Sequence, residues 1–145
     1  MAEDHAVGEP SVPIMDLAFD SGTLYALRAG VKAHACDAGL PEDRAEDIVL
    51  AVHELAANAV NHGAGAGRLR IWKLAGVLHC EVEDGEPLAS GSPGGHPWPS
   101  RPGHGLWLVR QVADRMRIRS GSRGTRAMIA FILPARLPGP GRLQT

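Results

Sequence analysis

The sequence predicts an α+β fold, a two-layer sandwich in which a mixed, mostly antiparallel sheet carries its helices on one face. Three observations lead there. Five short runs alternate apolar and polar residues with the period of a strand, three longer runs repeat apolar residues with the period of a helix, and the two kinds occur in the order strand, helix, helix, two strands, helix, two strands. Neighbouring strands joined by tight turns pair antiparallel, and helices that interrupt such a series pack together on one side of the sheet.

In chain order, "IMDLAFD" places Met15, Leu17 and Phe19 on one side of a first strand. "SGTLYALRAGVKAHACDAGL" follows as a helix, with Ser21 as its expected cap and Leu24, Leu27, Val31 and Ala35 at helical spacing. A second helix should begin near Pro41, where Glu42 and Asp43 suit the positive end of the helix dipole, and stop at Gly63. "RLRIWKL" and "VLHCEVED" read as a hairpin turning at Ala75-Gly76. Residues Gly85 to Gly105 hold five prolines among many glycines, which excludes helix and central strand; a loop of that length is functional or disordered. "LWLVRQVADR" is a third helix, and "MRIRS" with "TRAMIAFIL" closes the chain as a hairpin across "GSRG". No internal repeat is present.

The 145 residues, 44% of them hydrophobic, suffice for one core without disulfides. Residues 1–13 and 134–145 read as flexible tails flanking a domain at 14–133. Cys36 and Cys80 stand far apart with no metal-binding spacing and are expected as packed thiols. An acidic start without an apolar signal segment, and no run long enough to span a bilayer, give the expectation of a soluble cytoplasmic protein that does not bind membranes. A net charge of −1 gives no case for direct nucleic-acid binding; the local basic run Arg115 to Arg126 reads as a solvated hairpin.

The chemistry concentrates in "HELAANAVNHG". On a helix turning about 100° per residue, Ile48, Val49, Val52, Leu55, Ala56, Ala59 and Val60 form one apolar arc. Glu54, Asn58 and Asn61 lie opposite, with His62 at the edge. Any surface helix has two faces, but asparagines are poor mid-helix residues and the polar arc lacks the Lys and Glu of a solvated surface. A carboxylate one turn from a carboxamide can set a general base beside a hard oxygen donor of the kind Mg²⁺ takes. Downstream, Asp84 ends a strand where the Gly/Pro loop begins, as a turn former or a ligand group. The segment Gly103-His104-Gly105-Leu106 enters a helix whose exposed N–H groups favour an anion, unless it is only a loop joining a helix. Gly124-Thr125 opens the last strand with a small hydroxyl or a plain turn.

Taken together and in this order, these motifs resemble the Bergerat-fold (GHKL) ATP-binding superfamily, and most closely the small bacterial anti-sigma-factor serine kinases. The resemblance spans about Ile14 to Leu133, with "ELAANAVNHG" and "RPGHGLWLVRQVADR" its most specific parts. It implies Glu54 as catalytic base, Asn58 as Mg²⁺ ligand, Asn61 and His62 near the ATP phosphates, Asp84 on the adenine amino group with Thr125 beside it, and residues 85–105 as the ATP lid. Gly103, His104, Gly105 and Leu106 would close that lid, and Arg101 would reach the γ-phosphate or the partner. The cofactors implied are ATP and Mg²⁺. The partners implied are a sigma factor, which the domain would sequester, and an anti-anti-sigma protein of the STAS type, which it would phosphorylate on serine; a homodimer is among the forms the family takes. The family's adenine motif usually reads D-x-G-x-G, whereas Glu86 here stands at the first glycine position. That departure keeps a second reading open, a nucleotide-dependent regulatory binding protein without kinase activity. A third is a histidine-kinase-like catalytic domain acting in trans.

Overall fold

A computed structural model describes residues 13–84, 105–121 and 124–135. The elements are β1 (Met15–Asp20), α1 (Leu24–Ala38), α2 (Glu42–His62), β2 (Ala66–Leu74), β3 (Val77–Glu83), α3 (Gly105–Val112), β4 (Arg115–Gly121) and β5 (Gly124–Ile132). The strands form one sheet in the order β1-β2-β3-β5-β4, and every pairing among the described residues is antiparallel. The antiparallel sheet with its helices on one face is as expected; β5 enters between β3 and β4 and pairs with both, so β4 does not lie beside β3, the strand that precedes it in the chain.

The alternation read from the sequence decides which face is dry. Leu69, Ile71, Leu78, Cys80, Val82, Ala127, Ile129 and Phe131 point to the helix layer and are buried. They meet Leu27 and Val31 of α1 and Ile48, Val52, Leu55 and Ala59 of α2 in one core. Four alanines of α2, Ala45, Ala51, Ala56 and Ala59, are fully buried, and such short side chains let a helix lie close to its neighbours. Burial at roughly 25 cal/mol per Å² of apolar surface makes this seam the main source of stability.

The opposite face of the sheet is mixed, with charged pairs beside Trp72, Met128 and Ala130. Arg68 pairs with Asp16 at 2.7 Å, Arg70 and Arg126 each reach Glu81 at 3.1 Å, and Arg126 also holds Glu83 at 3.0 Å. The two guanidiniums cover Glu81 until its side chain is only 8% exposed. Burial lifts its carboxyl above the ordinary range and Glu83 adds to the lift, against the pull of Arg126 and Arg70.

Turn chemistry fixes the local details. Ala75 and Gly76 both adopt positive φ, 53° and 79°, as the tight β2–β3 hairpin requires. Ser21 does not cap α1. Asp20 and Thr23 hold that turn instead: Gly22 N–H donates to Asp20 Oδ1 at 2.9 Å and Asp20 N–H to Thr23 Oγ1 at 2.8 Å, which uses up the hydroxyl that would have capped the helix. Cys80 is buried as expected, but Cys36 is exposed on α1, because the apolar stripe of that helix runs through Leu27, Val31, Ala35 and Ala38 and leaves position 36 outside it.

Arg44 joins the start of α2 to the end of α3. Its Nη1 donates to Asp47 Oδ2 at 2.7 Å and to the carbonyl of Val112 at 2.9 Å, its Nη2 donates to Asp114 Oδ2 at 3.1 Å, and its guanidinium lies 4.6 Å from the centre of the Phe131 ring. Asp114 Oδ2 also accepts the Ile132 N–H at 2.8 Å. The far end of α3 is thus fixed to both α2 and β5. No helix among the described residues is long and apolar enough to cross a membrane.

Candidate functional site

The C-terminal half of α2, the end of β3, the start of β5 and the N-terminus of α3 converge. Two sets of contacts show it. At the first, Gly63, which ends α2, packs so tightly that an added Cβ would stand 3.0 Å from Asp84 Cβ and Oδ2 and 2.8 Å from the Ala59 carbonyl. Asp84 is buried to 1% exposure and exchanges hydrogen bonds with Thr125: its N–H donates to the Thr125 carbonyl at 3.0 Å, and its Oδ2 accepts the Thr125 N–H at 3.1 Å. Asp84 therefore acts as more than a turn former, since its carboxylate ties β3 to β5 across 41 residues.

At the second, the carboxylate of Glu54 abuts the first residue of α3. A Cβ built on Gly105 would overlap Glu54 Oε1 and come within 3.0 Å of its Cβ and Cδ. Any side chain at 105 would have to push the Glu54 carboxylate aside. The leading N–H groups of an α-helix have no partner within the helix and carry partial positive charge, so this corner is an environment for an anion.

Asn58 lies one turn beyond Glu54. It is 9% exposed, and its Nδ2 has no hydrogen-bond partner among the described residues. A buried amide donor left unpaired costs free energy, so its position needs an explanation. An acceptor oxygen, such as a phosphate group or water offers, would satisfy Nδ2, while Oδ1 of the same carboxamide is a hard donor suited to Mg²⁺. Among the described residues no group of three His, Cys, Asp or Glu side chains could hold a metal by itself, so a metal here would take most of its ligands from phosphate and water.

The remaining sequence-predicted residues divide clearly. Asn61 and His62 are exposed on the last turn of α2. Thr125 is buried, its hydroxyl 3.1 Å from Ser120 Oγ. Leu106 is 2% exposed and belongs to the core, which leaves only its backbone for a ligand. Arg101, Gly103, His104, Glu86 and the lid up to residue 104 lie outside the described residues, as do both expected tails apart from Pro13, Pro134 and Ala135. Sequence reasoning overlooked Ser120. Its signal was present, because the "GSRG" hairpin sets Gly121 opposite Gly124 and hence Ser120 opposite Thr125.

The fold is a two-layer α+β domain in which Glu54, one turn before Asn58, meets the N-terminus of a helix and a strand-end Asp is bonded to a strand-start Thr. Residues 17–131 match the model of the histidine kinase-like ATPase domain, and the chain belongs to that family. Among solved structures it is similar to the RsbU and RsbW domains of Rv1364c from Mycobacterium tuberculosis, with 24% sequence identity and a TM-score of 0.64. That match covers 88% of this chain and 34% of the other, so the chain spans about a third of the neighbour's length and the likeness is one of fold. No curated protein matches the sequence.

Proposed function

We propose that this protein is an ATP-dependent serine kinase of a partner-switching module, which sequesters a sigma factor and phosphorylates an anti-anti-sigma partner of the STAS type. The observation that carries the reading is the buried Nδ2 of Asn58, without a hydrogen-bond partner among the described residues, one turn from a carboxylate that sits at a helix N-terminus. A helix evolved only for packing would place an apolar residue or a satisfied amide there. Membership of the histidine kinase-like ATPase family supports ATP as the phosphoryl donor. The motif resemblance to anti-sigma-factor kinases, and the likeness of fold to a chain containing an RsbW domain, support the choice of partners.

In this reading Glu54 takes the proton from the partner's serine hydroxyl as its oxygen attacks the γ-phosphate of ATP. Asn58 holds the metal through its amide oxygen. Mg²⁺, when bound, would offset negative charge on the phosphate oxygens. The N–H groups at the start of α3, with Gly105 allowing close approach, bind phosphate; Asn61 and His62 line its approach; Arg101 neutralises charge on the group in transfer. Asp84 and Thr125 receive the adenine.

A second reading keeps the nucleotide and drops the catalysis. Glu86 at a position the family gives to glycine favours it, because a side chain there crowds the backbone beside the base. The two separate in one experiment. Labelled ATP is incubated with candidate STAS proteins and scored for acid-stable phosphoserine, with wild type and Glu54→Gln side by side. Transfer by the wild type that falls at least about a hundredfold in the variant supports a general base. Equal transfer by both removes Glu54 from that role, and nucleotide binding without transfer to any partner leaves the regulatory reading.

A further inference from the structure

Among the described residues the sheet's outer face carries six arginines, and they fall into two groups. Arg68, Arg70 and Arg126 are paired with carboxylates. Arg115, Arg117 and Arg119 have no acidic partner among the described residues, and all three are exposed at alternate positions of β4. Register worsens their situation: Arg119 stands directly opposite Arg126, whose own guanidinium is already committed to Glu81 and Glu83. Like charges in a cross-strand pair destabilise a sheet. Among the described residues this row lacks a counter-charge.

β4 is also a sheet edge. It pairs with β5 on one side, and among the described residues no strand lies on the other. Beside Arg115 and Arg117 runs a shallow groove of about 450 Å³ with Met128 and Ala130 in its floor, and a second of about 310 Å³ adjoins Arg119. His79 lines the first groove and stacks on Trp72 at 5.5 Å. Burial, together with Arg115, holds the His79 imidazole below its ordinary range.

We propose that the free edge of β4 docks an extended acidic segment of a partner protein, which adds a strand to the sheet and sets carboxylates at every second position against Arg115, Arg117 and Arg119. The spacing fits: alternate residues of a strand lie about 6.7 Å apart on either side of such a pair, and strand addition supplies backbone hydrogen bonds while alternate side chains give specificity. The intervening residues of the incoming segment would lie on the helix side next to Met116 and Ile118, which are half-buried, so they should be apolar. A second copy of this edge is a poor occupant, since antiparallel pairing of β4 with itself centred on Arg117 would oppose arginine to arginine throughout. Nucleic acid is disfavoured by an overall charge of −1 and by the apolar groove floor. The inference stands independently of the kinase reading.

The test uses the full chain and a labelled peptide of alternating Glu and Val, with its Lys/Val counterpart as control. Amide chemical shifts should move along β4 and at Met128 and Ala130 with the acidic peptide only. Affinity read by anisotropy should fall at least about tenfold when Arg115, Arg117 and Arg119 are all changed to Glu, and by less than about threefold when all three become Lys. The Lys variant separates lost charge from lost folding, and Mg·ATP affinity should be the same in all three proteins. Binding that survives the Glu triple variant, or shifts confined to another surface, overturns the proposal. So does tighter binding of a single-stranded oligothymidylate than of the peptide, a dimer in sedimentation that the Glu variant abolishes, or peptide binding that appears only when residues 1–12 are deleted, which would make the chain's own acidic start the occupant.

Discussion

Replacing Asn58 with alanine should make the protein more stable and less able to bind nucleotide, and both effects can be sized from the structure. In the folded chain Nδ2 is buried without an acceptor among the described residues. Such a donor costs about 1–3 kcal/mol, which the substitution removes. Alanine is also the better mid-helix residue, by up to about 0.7 kcal/mol. Against this stands the loss of packing by a side chain about the size of two methylenes, about 1–1.5 kcal/mol. Together these terms run from a loss of about 0.5 kcal/mol to a gain of about 2.7 kcal/mol and centre on a gain of about 1 kcal/mol, or a rise in Tm of roughly 2–4 °C for a domain of this size. The assay is thermal and urea unfolding without nucleotide, followed by the same melts with Mg·ATP. Wild type should gain stability from Mg·ATP, and Asn58→Ala should not. A variant that is less stable than wild type by more than about 1 kcal/mol without nucleotide would refute the reasoning, because Asn58 would then be a satisfied structural residue.

Other consequences follow from particular contacts. Gly105→Ala must displace the Glu54 carboxylate, which should lower phosphoryl transfer at least tenfold while costing less than about 2 kcal/mol of stability; steady-state rates and urea midpoints check the two halves. Arg44→Met keeps the stem over Phe131 but takes the Arg44 donor from Asp47 and the Val112 carbonyl and one of two donors from Asp114, and should cost about 1–2 kcal/mol in urea unfolding. Glu81 has its folded pKa raised by burial, so its contribution is fully present below the unfolded carboxylate range and is lost as pH rises through the folded value; Glu81→Gln should flatten stability just above that range. Asp16, lowered first by its hydrogen bond from Arg68, runs the other way, and its contribution is lost as pH falls below the usual carboxylate range. Urea midpoints measured from pH 3 to pH 7 should carry both slopes. A thiol reagent should modify Cys36 and spare Cys80, which is buried and whose thiol burial pushes above its ordinary range; modification of both in the folded protein would contradict the core assignment.

The periodic parts of this fold were legible in the sequence because burial leaves a periodic record. The strands of two hairpins and the helix from Glu42 to His62 lie where alternation and the helical repeat set them, and the Ala75-Gly76 turn has the positive φ values such a hairpin needs. Relations between distant residues left no such record. Nothing in the order of residues says that Arg44 reaches Asp114, or that Gly105 is a glycine because Glu54 occupies the space its side chain would need. The cap of α1 was misread since Ser21 and Thr23 are equally good cap types, and only the bonds between Asp20 and Thr23 decide which turn forms. Cys36 was misplaced by residue type alone, where the face of the helix was the better guide. For the site, residue types and spacing singled out Glu54, Asn58, Asp84 and Thr125, and the structure sets Glu54 against Gly105 and bonds Asp84 to Thr125. What made two of them informative, an unpaired amide and a carboxylate against a helix start, is geometry.

The central claim is that Mg·ATP is held between α2 and the start of α3, and titration calorimetry of Mg·ATP into wild type and Asn58→Ala tests it most directly. The account predicts one site per chain on the wild type and an affinity at least about tenfold weaker, a loss of about 1.4 kcal/mol, in the variant. A wild type that gives no binding at millimolar Mg·ATP, or a variant that binds as tightly as wild type, would contradict it.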